Sequence, residues 1–349
     1  MGRMARYRGM DREQRSRMTI RDIAELAGVS ISTVSRAVNG RSDVSEETRT
    51  MVRRIAREHG YTASRDARGL STGRTGLIGV TLPVIHPTYF SAILASVAEA
   101  LDEYDMRMVL CPTQHQHDRE LSLIERLMHG TTDGAILVLP EESGSELRTL
   151  ARRGYRYVVV DPAEQPEEDI PAVSAAHSAG ADQAVRHLLG LGHRRIGAIT
   201  GPRGRMATEE RLRGYNAAMA GAGVLPDPGL VAESDWTVEG GFAAGARLLA
   251  PADPPTAIFA FNDQMAIGAM RAARSRGRRI PEELSIVGFD DITEAQFVTP
   301  GLTTVRQPLA EMGRMAVSLL VRLLDDLADT ALHVELATRL VVRDSTSRL

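Results

Sequence analysis

The sequence has no lysine: each of its 42 basic residues is arginine. That uniformity reads as the codon bias of a GC-rich genome and carries no functional message of its own. Cysteine is almost as scarce. With Cys111 alone, no internal disulfide can form, which fits a reducing compartment. Aromatic residues make up only 4% and tryptophan occurs once, as Trp236. No apolar run reaches the roughly 18 residues that a membrane-spanning helix needs, and the Arg-rich start lacks the hydrophobic segment of a secretory signal. These absences point to a cytoplasmic protein with no membrane partner. What is present is ordinary for a globular chain: 43% apolar and 25% charged residues over 349 positions, enough for two or three compact units.

The net charge of -3 conceals an asymmetry. Residues 1–75 hold 16 Arg against 9 acidic residues, a surplus of +7, while the remainder carries 26 against 36, or -10. A basic head on an acidic body implies a polyanionic partner for the head only. The first 18 residues, MGRMARYRGMDREQRSRM, are Arg-rich, poor in apolar residues and without periodicity, so a disordered arm is expected: a solvated tail or a source of nonspecific phosphate contacts.

From Thr19 the pattern is helical. Thr19 can cap a helix whose apolar residues Ile20, Ile23, Ala24 and Ala27 recur at three- and four-residue spacing, and Gly28 ends it. Ser30 then caps a second helix after a short turn, and Ser45 a third that runs through Val52, Ile55 and Ala56 to Gly60. In the second helix, at about 100° per residue, Ser32, Thr33 and Arg36 share one side, while Val34 and Val38 fall on the other and can pack on the first helix. A short turn followed by a small-polar helix carrying Arg is the arrangement that lays its second helix in a DNA major groove, where Arg bridges guanine O6 and N7. A solvated amphipathic helix is the plainer alternative.

The stretch TIRDIAELAGVSISTVSRAVNGRSDVSEETRTMVRRIAREHGY, residues 19–61, closely resembles the DNA-binding head of the lactose/galactose repressor (LacI/GalR) family. The resemblance implies a helix-turn-helix domain over 19–63, with Ile31, Ser32 and Arg36 reading bases and Thr33, Ser35 and Asn39 gripping phosphates. Thr19 and Ser30 join the expected DNA contacts. Ile31 and Ser32 are not the long polar pair of the lactose repressor, so its operator cannot be copied across. The following TASRDARGLSTGRT resembles the family's hinge, over 64–75, a helix that forms on DNA. There Ser64 would cap, Arg65 would contact DNA, Ala67 would face its symmetry mate and Leu70 would wedge into the minor groove. Ala63 replaces a frequent proline, and Gly69 costs about 1 kcal/mol of helix stability relative to Ala. A plain linker is the alternative.

Beyond Thr75, apolar runs LIGVTLP, RMVLCP, AILVLP, YVVVD, RIGAIT, TAIFAF and SIVGFD alternate with helical stretches, the grammar of parallel α/β sheets, which bind ligands at the carboxyl ends of their strands. About 270 residues make two such sheets the natural expectation. These segments also resemble the family's effector core, which implies a two-lobed fold of the periplasmic-binding-protein type (type I). The expected lobes are about 76–175 plus 306–333, and 176–305 plus 334–349. By the same resemblance Arg211, Asn262 and Asp290 would hydrogen-bond a ligand, Trp236 would pack on it, and Tyr89 with Phe90 would form the first-lobe loop; His177 and Gln307 complete the expected set. Arg, carboxylate and amide together suit the mixed donors and acceptors of a polyol, and Trp its C–H face. Asn262 and Asp290 could instead cap strand-to-helix turns, and Asp263 and Asp291 could point away from the cleft. SAAHSAG places Ala176 and His177 where the family usually shows an Asp-Asn pair, so no known ligand can be transferred.

The run CPTQHQH offers Cys111, His115 and His117 but no second cluster at zinc spacing, and LGHRRIG reads as a turn before a strand, not as a base at His193. Phosphate-loop, nucleophile-elbow and metal-helix motifs are missing. No cofactor, metal or catalysis is therefore expected. The sequence reads as a ligand-responsive regulator, a repressor of carbohydrate genes, that binds a pseudo-palindromic operator as a homodimer and responds to a sugar-like effector. A nucleoside-responsive relative and a sugar-binding transport protein are the alternatives; the latter would need a signal peptide and no helix-turn-helix. Sustained apolar heptads of the kind that build tetramers are not seen near RLVVRDS, so a dimer is expected.

Overall fold

The computed structural model describes residues 18–38, 43–59, 74–85, 88–166, 168–327 and 333–349. The arm and most of the hinge therefore lie outside the described residues, and so do Asn39, Ser64, Arg65, Ala67 and Leu70. The chain divides into two compact units between Thr75 and Gly76.

In the first unit three helices surround a small apolar centre. Helix α1 (Ile20–Ala27) begins at a capping box in which Thr19 and Asp22 satisfy each other's backbone N–H groups, and it ends on Gly28 at φ 65°. The Thr19 backbone and hydroxyl groups hold the Asp22 carboxyl below its usual range. Helix α2 (Ile31–Val38) and helix α3 (Glu46–Glu58) follow, the latter capped by Ser45. Ile23, Ala24, Val34, Ala37, Val44 and Val52 are buried together, with Val38 and Ile55 packed against them, so the apolar side of α2 is the side turned inward.

The second unit holds two six-stranded sheets. Strands β1 (Leu77–Leu82), β2 (Arg107–Pro112), β3 (Gly134–Val138), β4 (Tyr157–Val160), β5 (Ala172–Ala175) and β11 (His333–Leu336) form the first, in the order β11-β5-β4-β3-β1-β2, all parallel. Strands β6 (Ile196–Thr200), β7 (Val231–Glu233), β8 (Ala257–Ala260), β9 (Ser285–Asp290), β10 (Thr303–Arg306) and β12 (Arg339–Val341) form the second, in the order β12-β10-β9-β8-β6-β7, with only β12 antiparallel. Parallel strands are covered on both faces, which is why their sequences are continuous apolar runs. In β3, Ile136 and Val138 face one core with helix α4 (Thr88–Asp102), while Ala135 and Leu137 face another.

The chain crosses between lobes three times, after β5, after β10 and after β11. Two of the expected lobe limits shift. Arg306 still pairs with Asp290 in the second sheet, and β11 pairs with β5, so residues 334–336 belong to the first lobe and the last crossing falls between Leu336 and Arg339. The polar, short β11 gives no apolar run to announce it. The crossings are hydrogen-bonded to one another: Ala176 N–H donates to the Leu336 carbonyl at 2.9 Å and Thr338 Oγ1 to the Ala176 carbonyl at 3.2 Å.

Helix α7 (His177–Gly190) and helix α8 (Met206–Gly221) pack closely because Gly214 has no Cβ; one placed there would lie 2.1 Å from the Ser178 carbonyl oxygen. His193 proves to be a buried tie to the C-terminal segment. Its Nδ1 lies 2.9 Å from Thr256 Oγ1, and its Nε2 3.0 Å from Ser285 Oγ and 3.1 Å from the Ser347 carbonyl, while His187 Nε2 meets Thr346 Oγ1 at 3.0 Å. Burial lowers the pKa of both rings; for His193 the Ser347 carbonyl opposes it in part, and for His187 a charged His193 adds to it.

A lowered histidine pKa means that the unfolded chain takes the proton first as pH falls. The contribution is therefore complete above the ordinary value of about 6.5 and is lost as pH drops below it. Glu142 and Asp290, whose carboxyls are pushed up to about 8 and about 7, act in the opposite direction over the same range, so the effect is expected as a difference between proteins. In urea denaturation, His193→Gln is expected to lose less stability than the wild type between pH 7 and pH 5.5. Equal losses would remove His193 as the titrating tie.

Candidate functional site

On α2 the residues expected to meet DNA do stand outside the core. Ile31 is 45% exposed, Ser30, Ser32 and Arg36 are exposed, and Ser35 shares the helix. Ser30 caps α2: its Oγ accepts from Thr33 N–H at 3.1 Å and lies 2.7 Å from Ser32 Oγ and 2.8 Å from Thr33 Oγ1. Arg36 meets Asp43 at 3.2 Å, with both side chains more than half exposed, a surface pair worth little. A helix N-terminus with three clustered hydroxyls and an exposed Arg one turn along can grip a phosphate and reach a base edge.

The second constellation gathers at the carboxyl edges of both sheets. In each sheet the connection reverses direction at one strand, β1 and β6, and such switch points open a crevice. Arg211, on α8 and 4% exposed, is the hub. Its guanidinium donates to the Phe261 carbonyl, stacks 3.8 Å from the Phe289 ring centroid, and lies 5.6 Å from that of Trp236. It also approaches Asp290 Oδ1 at 3.6 Å and donates to His177 Nδ1, from Nε at 3.4 Å and from a terminal nitrogen at 3.2 Å. Since Nδ1 accepts, His177 carries its proton on Nε2, which donates to Asp161 Oδ1 at 3.2 Å. Tyr89 O–H donates to the other oxygen of Asp161 at 2.5 Å. On the far side of Arg211, Gln307 Nε2 donates to Asp290 Oδ1 at 2.6 Å, while Gln307 Oε1 is buried without a protein donor.

The ionisable groups respond to this crowding. Burial pushes Asp290 up to about 7, although Arg211 and the Gln307 amide oppose it. Burial would raise Asp161 too, but His177, Tyr89 and Arg211 outweigh it and hold its carboxyl below the ordinary range. Tyr89 is raised well above its usual value by burial, then by the charge of Asp161. Asp161, Asp290 and Trp236 stand at φ 50°, 113° and 70°, sparsely populated for residues with side chains, and such strain gathers at functional sites.

Each expected residue can now be placed. Tyr89 and His177 are hydrogen-bonded through Asp161, His177 to Arg211, and Gln307 to Asp290, which faces Arg211 as an ion pair at 3.6 Å; Trp236 lies against that hub. The tryptophan ring rests on Gly201, where a Cβ would fall 2.0 Å from a ring carbon. Phe90 packs edge-on to Tyr89, with ring centroids 5.2 Å apart, in the first turn of α4 and not in a loop. Asn262 takes the capping alternative: its Oδ1 accepts from Met265 N–H at 2.8 Å and its Nδ2 donates to the Trp236 carbonyl at 3.0 Å. Asp263 and Asp291 do turn away, the former to Thr304 and Ile292 N–H, the latter to Arg306 and Arg343. His115 and His117 are taken up by Glu141 and Glu146. Asp161 and Phe289 were not singled out by sequence; Asp161 directly follows the buried run YVVV as Asp290 follows SIVGF, and that placement is the signal that could have found it.

A helix-turn-helix head and a two-lobed α/β core with a polar cleft, carried by one chain, define a ligand-responsive DNA-binding transcriptional regulator. The sequence profile "Bacterial regulatory proteins, lacI family" matches residues 19–64, and that of a "Periplasmic binding protein-like domain" matches residues 185–346. The chain is 34% identical to the HTH-type transcriptional regulator DegA of Bacillus subtilis over 95% of its length and 98% of that protein. It therefore belongs to the lacI family of bacterial regulatory proteins. Among solved structures, the lac repressor dimer bound to operator and an anti-inducer superposes with a TM-score of 0.86 at 29% identity, covering 95% of this chain and 99% of that one. The transcriptional regulator CelR in complex with cellobiose superposes with a TM-score of 0.74 at 34% identity, covering 94% and 100%.

Proposed function

We propose that this regulator binds a pseudo-palindromic operator as a homodimer through α2 and is controlled by a small hydroxylated effector, a sugar or a close analogue, held in the cleft. The observation that carries this reading is the convergence on Arg211 of Asp290, Gln307, His177 and Trp236 from the carboxyl ends of the strands. Arg and Asp290 supply a donor fork and an acceptor, Gln307 supplies both, and Trp236 offers a flat face, the mixture that a polyol needs. The operator-bound lac repressor dimer and the cellobiose complex of CelR support the DNA, dimer and sugar parts by similarity. Among the described residues no helix is long and apolar enough to cross a membrane and no His, Cys, Asp or Glu group is placed to hold a metal; the proposed setting is the cytoplasm and the proposed role non-catalytic.

Trp236 is the sole tryptophan, so its emission reports on the cleft directly. A sugar that is an effector is expected to change that emission saturably and, at the same concentrations, to alter retention of genomic DNA fragments. Ligands that change DNA retention yet leave Trp236 silent, and compete with nothing that moves it, would place the effector elsewhere.

A further inference from the structure

We propose that the cleft selects an uncharged polyhydroxy ligand and rejects its phosphate and carboxylate derivatives, because the cations facing it are already held by the protein's own carboxylates. The inference rests on the cleft being the effector site. Arg211 is the inner cation. Asp161 reaches it through His177 and Asp290 lies 3.6 Å away on the other side, while the Phe261 carbonyl takes a further N–H. His177 takes up two further guanidinium N–H groups of Arg211 at its Nδ1. The outer cation is Arg205, at the start of α8, and it pairs with Glu141 across the lobes.

Further buried acids lie beside Glu141: Glu120 and Glu142, on the segments that follow β2 and β3, are 1% and 2% exposed, and Glu120 accepts from the Glu141 N–H at 3.0 Å. Asp263 lies buried behind Asp290. Burial raises Glu142 to about 8, with Glu120 adding to it, and raises Asp290 to about 7 against the opposing charge of Arg211. A phosphate entering here would have to take Arg211 from Asp161 and Asp290 and then sit beside both in a water-poor space, where like charges repel most strongly. A hydroxyl meets no such conflict. It can donate to Asp290 or to Gln307 Oε1 and accept from Arg211 at once. An ammonium group would have to lie against Arg211 to reach the same acceptors.

The test uses the full chain and Trp236 emission. Cellobiose, ribose and glucose are titrated beside ribose 5-phosphate, glucose 6-phosphate and glucuronate, at matched ionic strength. Whichever parent sugar binds is expected to do so at least about tenfold more tightly than its anionic derivative; an anionic derivative that binds more tightly than its parent overturns the proposal. Inorganic phosphate supplies an arm that needs no effector. Millimolar phosphate is expected to leave the wild-type emission unchanged and to shift it saturably once Asp161→Asn and Asp290→Asn together free Arg211. Asp290→Asn alone serves if the double variant does not fold. A saturable phosphate response in the wild type, or none in a folded variant, overturns the proposal. Silence of every sugar would strike the effector reading of the cleft instead, and the phosphate arm would still decide the charge argument.

Discussion

Replacing Arg36 by Ala is expected to weaken binding to a preferred genomic fragment by between about 30-fold and on the order of 10⁴-fold, since one bidentate guanine contact is worth about 1–3 kcal/mol and a dimer would make two. The substitution is readable because it leaves the head's core alone. Arg36 stands outside the core and its partner Asp43 is itself more than half exposed, whereas Ile23, Val34 and Val52 carry the packing. Circular dichroism and thermal unfolding should therefore match the wild type. Affinity for random duplex should fall much less, because that term comes from phosphate contacts and not from base edges. The measurement is an electrophoretic mobility shift at fixed salt with specific and random fragments. If the two fragments lost affinity equally, Arg36 would be a phosphate ligand and Ile31 and Ser32 would be left to read the bases.

Arg211→Met is expected to cost the core about 3–5 kcal/mol, the range for breaking a buried ion pair by removing one partner. In a unit of this size that corresponds to a fall in Tm of roughly 6–20 °C. The reason is local: Asp161 and Asp290, 4% and 7% exposed, would keep their burial and lose the cation between them. The penalty should shrink as pH falls from 8 to 5.5, because carboxyls left without Arg211 can take protons and so shed the unpaired charge. Met fills much of the space over Phe289 and Trp236, so a cavity contributes little to the loss. Urea denaturation at both pH values, with Trp236 emission as the probe, reads both effects. A loss below about 1 kcal/mol, typical of a surface pair, would mean that Arg211 is not the hub of the network.

The head was open to reading because its signals are local. Helix caps act within three residues, as Thr19 does with Asp22 and Ser45 with Thr48, and the inward side of α2 follows from a helical period alone. Likewise seven strands announced themselves as apolar runs, since a parallel strand buried on both faces has no polar register. Strands β5, β7, β10, β11 and β12 did not. They are three or four residues long and include Ser, Thr, Glu, His or Arg, and they exist because a neighbouring strand offers a ladder, a circumstance that no short window of sequence encodes.

The cleft divides in the same way. The amino-acid order by itself determined that strand ends carry Asp290, Asn262 and Trp236, and that a family pattern sets Arg211 among them. Only the tertiary structure decided what each does. Asp161 joins Tyr89 and His177 across separations of 72 and 16 residues, Asn262 is turned to a cap, and Phe289 becomes the surface on which Arg211 lies. The physical reason is range. Caps, turns and periodicity act through bonds and hydrogen bonds between near neighbours, whereas burial and charge pairing depend on which distant segments share a low-dielectric space, and that is settled when two sheets bring their carboxyl edges together.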